Sequence, residues 1–349
     1  VHLRMKNQFY LPLLALLPWV TGVAQTSKSS PKAVKKTFVA MFYNVENLFD
    51  IVDDPKVNDD EFTPAGKVPW TEERLNTKIN QIGQVMNDIA SPAMPDLVGF
   101  AEVENKMVLE MLTASPTISK LKYNIIHYDS PDERGIDVAM IYNPSTYRVI
   151  SSEPLEVILP NSDRTRDILY VKGKISSGEI LHVFVNHWPS RREGTELSEP
   201  NRMAAAQVLR NKIDAIQKLE KSANILILGD FNDEPSDKTI TVGLKAQYPD
   251  MVTKSNDLCS LLYPEYKKGE GSLFYKDWDL FDQIIVSGNM VIRKKGLRTS
   301  VEQAEIFRAE YLLFKTKEGE PRPNRTMSST KYFGGYSDHL PVYVKFNLN

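Results

Sequence analysis

The stretch Asn224-Ile225-Leu226-Ile227-Leu228-Gly229-Asp230-Phe231-Asn232 decides how the rest of the chain is read. The apolar run after Asn224 is unbroken, as expected of a strand buried on both faces, and it stops abruptly in Gly, Asp, Asn, Asp, Glu and Pro. Acids therefore stand where a strand leaves the core. Asp230 and Asn232, two residues apart, point the same way if the extended geometry persists. One can orient a nucleophile while the other donates to a charged oxygen. Taken alone, the four residues from Gly229 read equally well as an Asx-rich turn.

Other strand ends repeat the pattern. Phe38–Tyr43 runs into Asn44-Val45-Glu46, and Asp96-Leu-Val-Gly-Phe-Ala ends in Glu102. A strand over Ile180–Trp188 carries His187, one over Phe281–Val286 carries Asp282, and the closing strand from Leu340 is preceded by Ser337-Asp338-His339. Further strands are expected at Tyr123–Tyr128, Asp137–Tyr142 and Ile168–Ile175. Thr71 caps a helix with Leu75, Ile79, Ile82, Met86 and Ile89 at helical spacing, stopped by Ser91-Pro92. A short helix is expected from Lys106 to Leu112, and a long amphipathic one from about Asn201 to Lys221. The acid-rich stretch Asp50 to Pro69 reads as a mobile polar loop. Strand-rich segments with helices between them predict sheet packed on sheet with helices outside.

With 349 residues, 42% of them apolar, the chain has the composition of a soluble globular protein. A net charge of −2 argues against holding nucleic acid by bulk electrostatics, though not against local contacts to a few phosphates. One cysteine, Cys259, excludes an intrachain disulfide and a cysteine-based zinc site; its setting reads as packed core. Arg4 and Lys6, the apolar Phe9–Val20 and Thr21-Gly-Val-Ala-Gln25 follow the secretory-signal pattern. Residues 1–24 are thus expected to be a signal peptide, 25–36 a linker and 37–349 a single catalytic domain of an exported protein. No transmembrane segment is expected in the mature chain, and no obligate protein partner is implied.

Glu46, Glu102, Asp338 and the amide of Asn44 are hard oxygen donors, suited to Mg²⁺, Mn²⁺ or Ca²⁺ rather than zinc. His187 and His339 are two of only five histidines, both at strand ends with an acid or amide beside them. A histidine paired with a carboxylate serves as general base or as a stabilising cation. Metal, His–Asp and Asn together fit attack of water on a phosphate ester.

At this point the chain resembles the endonuclease/exonuclease/phosphatase superfamily of deoxyribonuclease-I-like enzymes, over Thr37 to Phe346. Tyr43-Asn44-Val45-Glu46, Val98-Gly-Phe-Ala-Glu102, Asn186-His-Trp-Pro189, Gly229-Asp-Phe-Asn232, Trp278-Asp-Leu-Phe-Asp-Gln283 and Ser337-Asp-His339 resemble its motifs, in its order. Ala101 stands where a Gln is usual, and Gln283 where a His is frequent. The resemblance implies an α/β fold of the α+β type, a four-layer sandwich of two mostly antiparallel sheets flanked by helices. It implies Glu102 as principal cation ligand, with Asn44, Glu46 and Asp338 in the same site. His339 held by Asp282 would be base or phosphate donor, Asp230 would align or deprotonate water, and Asn232 would bind a phosphate oxygen. His187 would act on the other side of the phosphate. Which histidine deprotonates what stays open. Asp137 is expected to orient His187, and Arg166 to touch phosphate.

The superfamily cuts DNA, RNA, phospholipid head groups and inositol phosphates, so fold alone does not settle the substrate. Arg191 and Arg192 directly after His187, with Arg164 and Arg166 at the same rim, favour a nucleic-acid backbone, and Trp188 can stack on a base. Hydrolysis of a lipid or small phosphoester is the alternative. An inactive binding module would have lost ligands; here every expected acid and both histidines are present.

Overall fold

A computed structural model describes residues 1, 8, 37–92, 94–160, 162–317 and 319–348. Apart from residues 1 and 8, the expected signal peptide and linker lie outside the described residues. Two seven-stranded sheets carry the fold. The chain opens the first with β1 (Thr37–Leu48), β2 (Leu97–Val103), β3 (Asn124–His127) and β4 (Asp137–Tyr142). It then builds the second from β5 (Tyr147–Leu155), β6 (Ile168–Ile175), β7 (Ile180–His187) and β8 (Ile225–Asp230). The short β9 (Ala246–Gln247) and β10 (Leu258–Ser260) and the longer β11 (Asp282–Ser287) complete that sheet. The chain returns to the first sheet with β12 (Leu297–Arg298), β13 (Ala304–Ile306) and β14 (Val342–Leu348). The orders are β12-β14-β1-β2-β4-β3, with β13 on β14, and β5-β6-β7-β8-β11-β10-β9. Among the described residues, only β1/β2, β7/β8 and β9/β10 pair in parallel.

Strand alternation sorts the core into layers. In β1, Phe38, Ala40 and Phe42 face the second sheet, packing with Val183, Val185, Leu226, Leu228 and Ile284. Val39, Met41, Tyr43 and Val45 face the other way, onto α1 (Glu72–Asp88) and α2 (Lys106–Ala114). In β8 the odd positions Ile225 and Ile227 meet α3 (Thr195–Leu219) through Ala205, Leu209 and Ile213. Helix, sheet, sheet, helix is the four-layer sandwich expected, and central strands covered on both faces need the continuous apolar runs that β1, β2 and β8 show. Cys259 is wholly buried between the sheets, its thiol pushed up to about 12 by burial.

Differences from expectation have local causes. Thr71 caps α1 as read, accepting from the Arg74 N–H at 3.4 Å. α3 starts at Thr195, six residues before Asn201, with Pro200 inside it; a proline near the N-terminus removes one bond without ending the helix. β5, mostly exposed or half-buried at the edge of its sheet, has no apolar run to announce it. The Asp50–Pro69 loop is anchored rather than merely polar. Phe62 stacks on Phe49 at 4.0 Å, and buried Trp70 donates its indole N–H to the Phe49 carbonyl.

Candidate active site

Sheet register puts the chemistry in rows. His187 of β7 pairs with Asp230 of β8, and Asp230 pairs with Asp282 of β11. In the first sheet Asn44 of β1 pairs with Ala101 of β2, one residue before Glu102. Both strands then bulge: register shifts after Asn44 and after Ala101, and Glu46, Asn47 and Glu102 take positive φ of 49°, 62° and 62°. Asn232, just past β8, does the same at 50°. Left-handed backbone at non-glycine residues costs about 1–2 kcal/mol each. The bulges re-aim carboxylates that a regular strand would turn elsewhere.

These groups converge on Asp230. Its Oδ2 accepts from the Asn44 amide at 3.0 Å and lies 3.7 Å from His187 Nε2 and 3.8 Å from His339 Nε2. Its Oδ1 accepts from the Asn232 backbone N–H at 2.9 Å. Glu102 Oε1 lies 4.0 Å from His187 Nε2, and its Oε2 accepts from the Asn47 N–H at 3.0 Å. His339 Nδ1 is 2.7 Å from Asp282 Oδ2, which also accepts from the Ser272 hydroxyl at 2.5 Å. Ser337 ties the last motif to the first, donating to the Asn44 carbonyl at 2.8 Å and accepting from the His339 N–H.

The two histidines are tuned in opposite directions. Burial alone would push His339 down, but Asp282 beside it, then Asp230 and Asp338, hold it well above its ordinary value. His187 is held well below, first by burial and then by Arg166, Arg134 and His339. The cleft therefore favours the imidazolium form of His339 and the neutral form of His187. Burial raises Asp230 to about 6, with Asp282 adding to it against the pull of His339. Glu46 rises to about 7, chiefly by burial and then by Asp338. Asp338 is raised by burial, Glu102 adding to it.

Such a group of crowded carboxylates fits a divalent cation, which would relieve their mutual repulsion. Glu102 and Asp338 line the cleft and are the residues best placed to hold one. Asp230, Asp282 and His339 also have donor atoms within 4.8 Å of one another, but the Asp282 bond to His339 makes that trio a polarised His–Asp pair rather than a ligand set. Two expected ligands are otherwise engaged. Asn44 turns its carbonyl to the Glu46 N–H at 3.0 Å and its amide nitrogen to Asp230. Both oxygens of Glu46 are taken, by Arg325 and by the Thr326 N–H.

The cleft has a volume of about 380 Å³ and is lined by Glu102, His187, Asp230, Asn232, Asp338 and His339, with Arg134, Arg166, Arg192 and Arg325. Three expectations need correction. Asp137 does not orient His187; its Oδ2 is 3.0 Å from His127 Nε2 and its Oδ1 accepts from Ser130, because β4 pairs with β3 and delivers His127 there. Arg191 faces inward, donating to the Asn232 carbonyl at 2.6 Å and pairing with Asp233 and Asp237, so it braces the loop instead of meeting substrate. Trp188 is buried against Phe231, its ring at 4.7 Å, and cannot stack on a base. Arg166 reaches the cleft while held by Asp132 at 3.0 Å and the Trp188 carbonyl at 2.8 Å. No local sequence pattern marks Arg134 and Arg325, which line the cleft, or Ser272, which holds Asp282.

Fold and cleft define a phosphoester hydrolase of deoxyribonuclease-I-like architecture. A family model described as the Endonuclease/Exonuclease/phosphatase family matches residues 39–348, and the chain belongs to that family. In fold it is similar to TDP2 of D. rerio complexed with single strand DNA product, at 13% identity and TM-score 0.54, over 90% of this chain and 100% of that one. It is also similar to the human Nocturnin catalytic domain with bound sulfate anion, at 16% and 0.53, over 90% and 95%. A family protein from Bacteroides thetaiotaomicron aligns at 13% and 0.53, over 90% and 98%. No curated protein matches the sequence.

Proposed function

We propose that the chain is an exported, Mg²⁺-dependent phosphodiesterase that cleaves nucleic acid, DNA or RNA, as an endonuclease. One observation carries the choice of a polymeric substrate. The arginines do not stop at the reacting groups: Arg134, Arg166 and Arg192 continue with Arg164 along an adjoining hollow of about 280 Å³, whose walls also carry Asp132, Glu133, Asp163 and Glu193, with Asp132 paired to Arg166. A track of guanidiniums longer than one phosphate suits a chain of phosphates. The basic, apolar, small-residue order of residues 1–24 supports export.

In this reading Asp230 orients water and accepts its proton, as a carboxylate raised to about 6 can do at neutral pH. His339, kept cationic by Asp282, donates from Nε2 to a phosphoryl oxygen as charge develops there. Neutral His187, beside Asp230, offers a second ring nitrogen to the phosphate or the leaving group. Asn232 lines the cleft with its backbone fixed by Asp230 and its amide by the Trp188 carbonyl at 2.9 Å. A cation at Glu102 and Asp338, Mg²⁺ or in its place Mn²⁺ or Ca²⁺, would neutralise phosphoryl and leaving oxygens. The test is a parallel panel of plasmid DNA, RNA, sphingomyelin and inositol phosphates with Mg²⁺. Cleavage of either nucleic acid, abolished by EDTA, is the expected result. Intact nucleic acids beside a hydrolysed lipid or inositol phosphate would replace the reading with its alternative.

A further inference from the structure

Arg325 sits on two carboxylates of the cleft at once. Its Nε is 3.1 Å from Glu46 Oε1, and its Nη2 is 3.0 Å from that oxygen and 3.1 Å from Asp338 Oδ2. Glu46 is buried, whereas the Arg325 side chain is 44% exposed, so the guanidinium covers a buried carboxyl from the solvent side. Behind Glu46, the ammonium of buried Lys78 binds the Thr326 hydroxyl and the Tyr336 carbonyl. The guanidinium thus lies among the carboxyls of Glu46, Asp338 and neighbouring Glu102.

We propose that Arg325 is a displaceable counter-charge. It neutralises Asp338 and caps the Glu46 carboxyl while the divalent cation is away, releases Asp338 when the cation binds, and then turns its planar fork onto the non-bridging oxygens of the substrate phosphate. This rests on the reading of the cleft as a cation-dependent phosphoesterase. A divalent ion carries twice the charge and, as Mg²⁺, would approach a carboxylate oxygen to about 2.0–2.1 Å, closer than the guanidinium that lies 3.1 Å from Asp338 Oδ2. An arginine half in solvent gives up little order on moving, and its fork matches phosphate geometry. A fixed brace holding Glu46 and Asp338 open for the cation is the competing account, and it predicts the opposite sign.

The experiment measures Mn²⁺ binding without substrate, from the electron paramagnetic resonance signal of free Mn²⁺, for wild type, Arg325→Gln and Arg325→Lys. Removing the competing charge in Arg325→Gln should tighten Mn²⁺ binding roughly five- to tenfold, and Arg325→Lys should stay near wild type. Inorganic phosphate should bind the Mn²⁺-loaded protein roughly tenfold more weakly in both variants, since neither keeps the fork. Unchanged or weaker Mn²⁺ binding in a folded Arg325→Gln protein would overturn the proposal. Were that variant to melt far below wild type, Arg325→Lys decides: unaltered phosphate affinity overturns it, reduced affinity with unaltered Mn²⁺ binding supports it. Wild type that takes up no Mn²⁺ would instead remove the cation-dependent reading itself.

Discussion

Asp230 Oδ2 is the atom around which the reacting side chains are arranged, within 4 Å of both histidines and bonded to Asn44. Because Asp282 is what keeps His339 protonated, its loss has a signed consequence. Activity that needs cationic His339 disappears as pH rises through that group's pKa, and Asp282→Asn lowers this pKa. The alkaline limb of the kcat profile should therefore move to lower pH in Asp282→Asn, while an unmoved limb would deny His339 the role of charged donor. His339→Ala should lower kcat about 10²- to 10⁴-fold. Stability carries its own signature. Glu46 and Asp230 are raised to about 7 and about 6 from ordinary carboxylate values, so between pH 4 and 7 these two groups hold more protons in the folded, cation-free protein than in the unfolded chain. Stability contributed by these groups is present at low pH and lost as pH rises through those values. His187, held low, works in the opposite sense below its ordinary value. Tm in EDTA should decline more steeply from pH 5 to 7 in wild type than in Glu46→Gln, in which that group no longer titrates. Equal slopes would mean that Glu46 is not held protonated by its burial.

At the scale of the element, the β8 end is locked from several sides. A Cβ on Gly229 would stand 2.6 Å from Asn186 Cβ and 2.7 Å from its carbonyl oxygen, so only glycine lets β7 and β8 approach closely enough to pair His187 with Asp230. Gly229→Ala should cost about 1–3 kcal/mol, read as a shifted denaturation midpoint, and lower activity with it. Beyond Asn232, Asp233 is clamped by Arg191, by wholly buried Arg202 of α3 at 2.8 Å, and by the Thr239 hydroxyl. Arg202→Ala leaves a buried carboxylate short of a partner and should cost about 3–5 kcal/mol by the same measurement; a loss below 1 kcal/mol would mean that Arg191 and Thr239 suffice. These devices also show what could be read beforehand. The end of β8 was legible because a doubly buried strand must be apolar throughout and its stop is abrupt. β5 was not, since an edge strand with polar faces resembles a loop. Arg191 and Trp188 were legible as residues near the site but not as inward-facing ones, because direction is set by Asp233 and Phe231 in the fold. Asp137 misled because its partner His127 comes from a strand paired with its own. Arg325 carries no local mark; only the fold brings it to Glu46, 279 positions away.

In the whole molecule, the cleft is made by both sheets together, Asn44, Glu46 and Glu102 coming from one and His187, Asp230 and Asp282 from the other. Packing of Phe38, Ala40 and Phe42 against β7, β8 and β11 holds those halves in register, so the function depends on the inter-sheet core. A cation that binds only the folded arrangement should raise Tm by mass action, and more so at pH 8 than at pH 5, where protons compete for Asp338, whose pKa burial raises. Among the described residues no helix is long and apolar enough to cross a membrane. The central claim is that these strand ends form one cation-dependent site for phosphodiester hydrolysis. It is tested most directly by titrating EDTA-treated protein with Mg²⁺ on supercoiled plasmid, wild type beside Asp230→Asn. Nicking that appears with Mg²⁺ in wild type and is lost in the variant is the predicted result; nicking that persists in EDTA, or survives in Asp230→Asn, would contradict it.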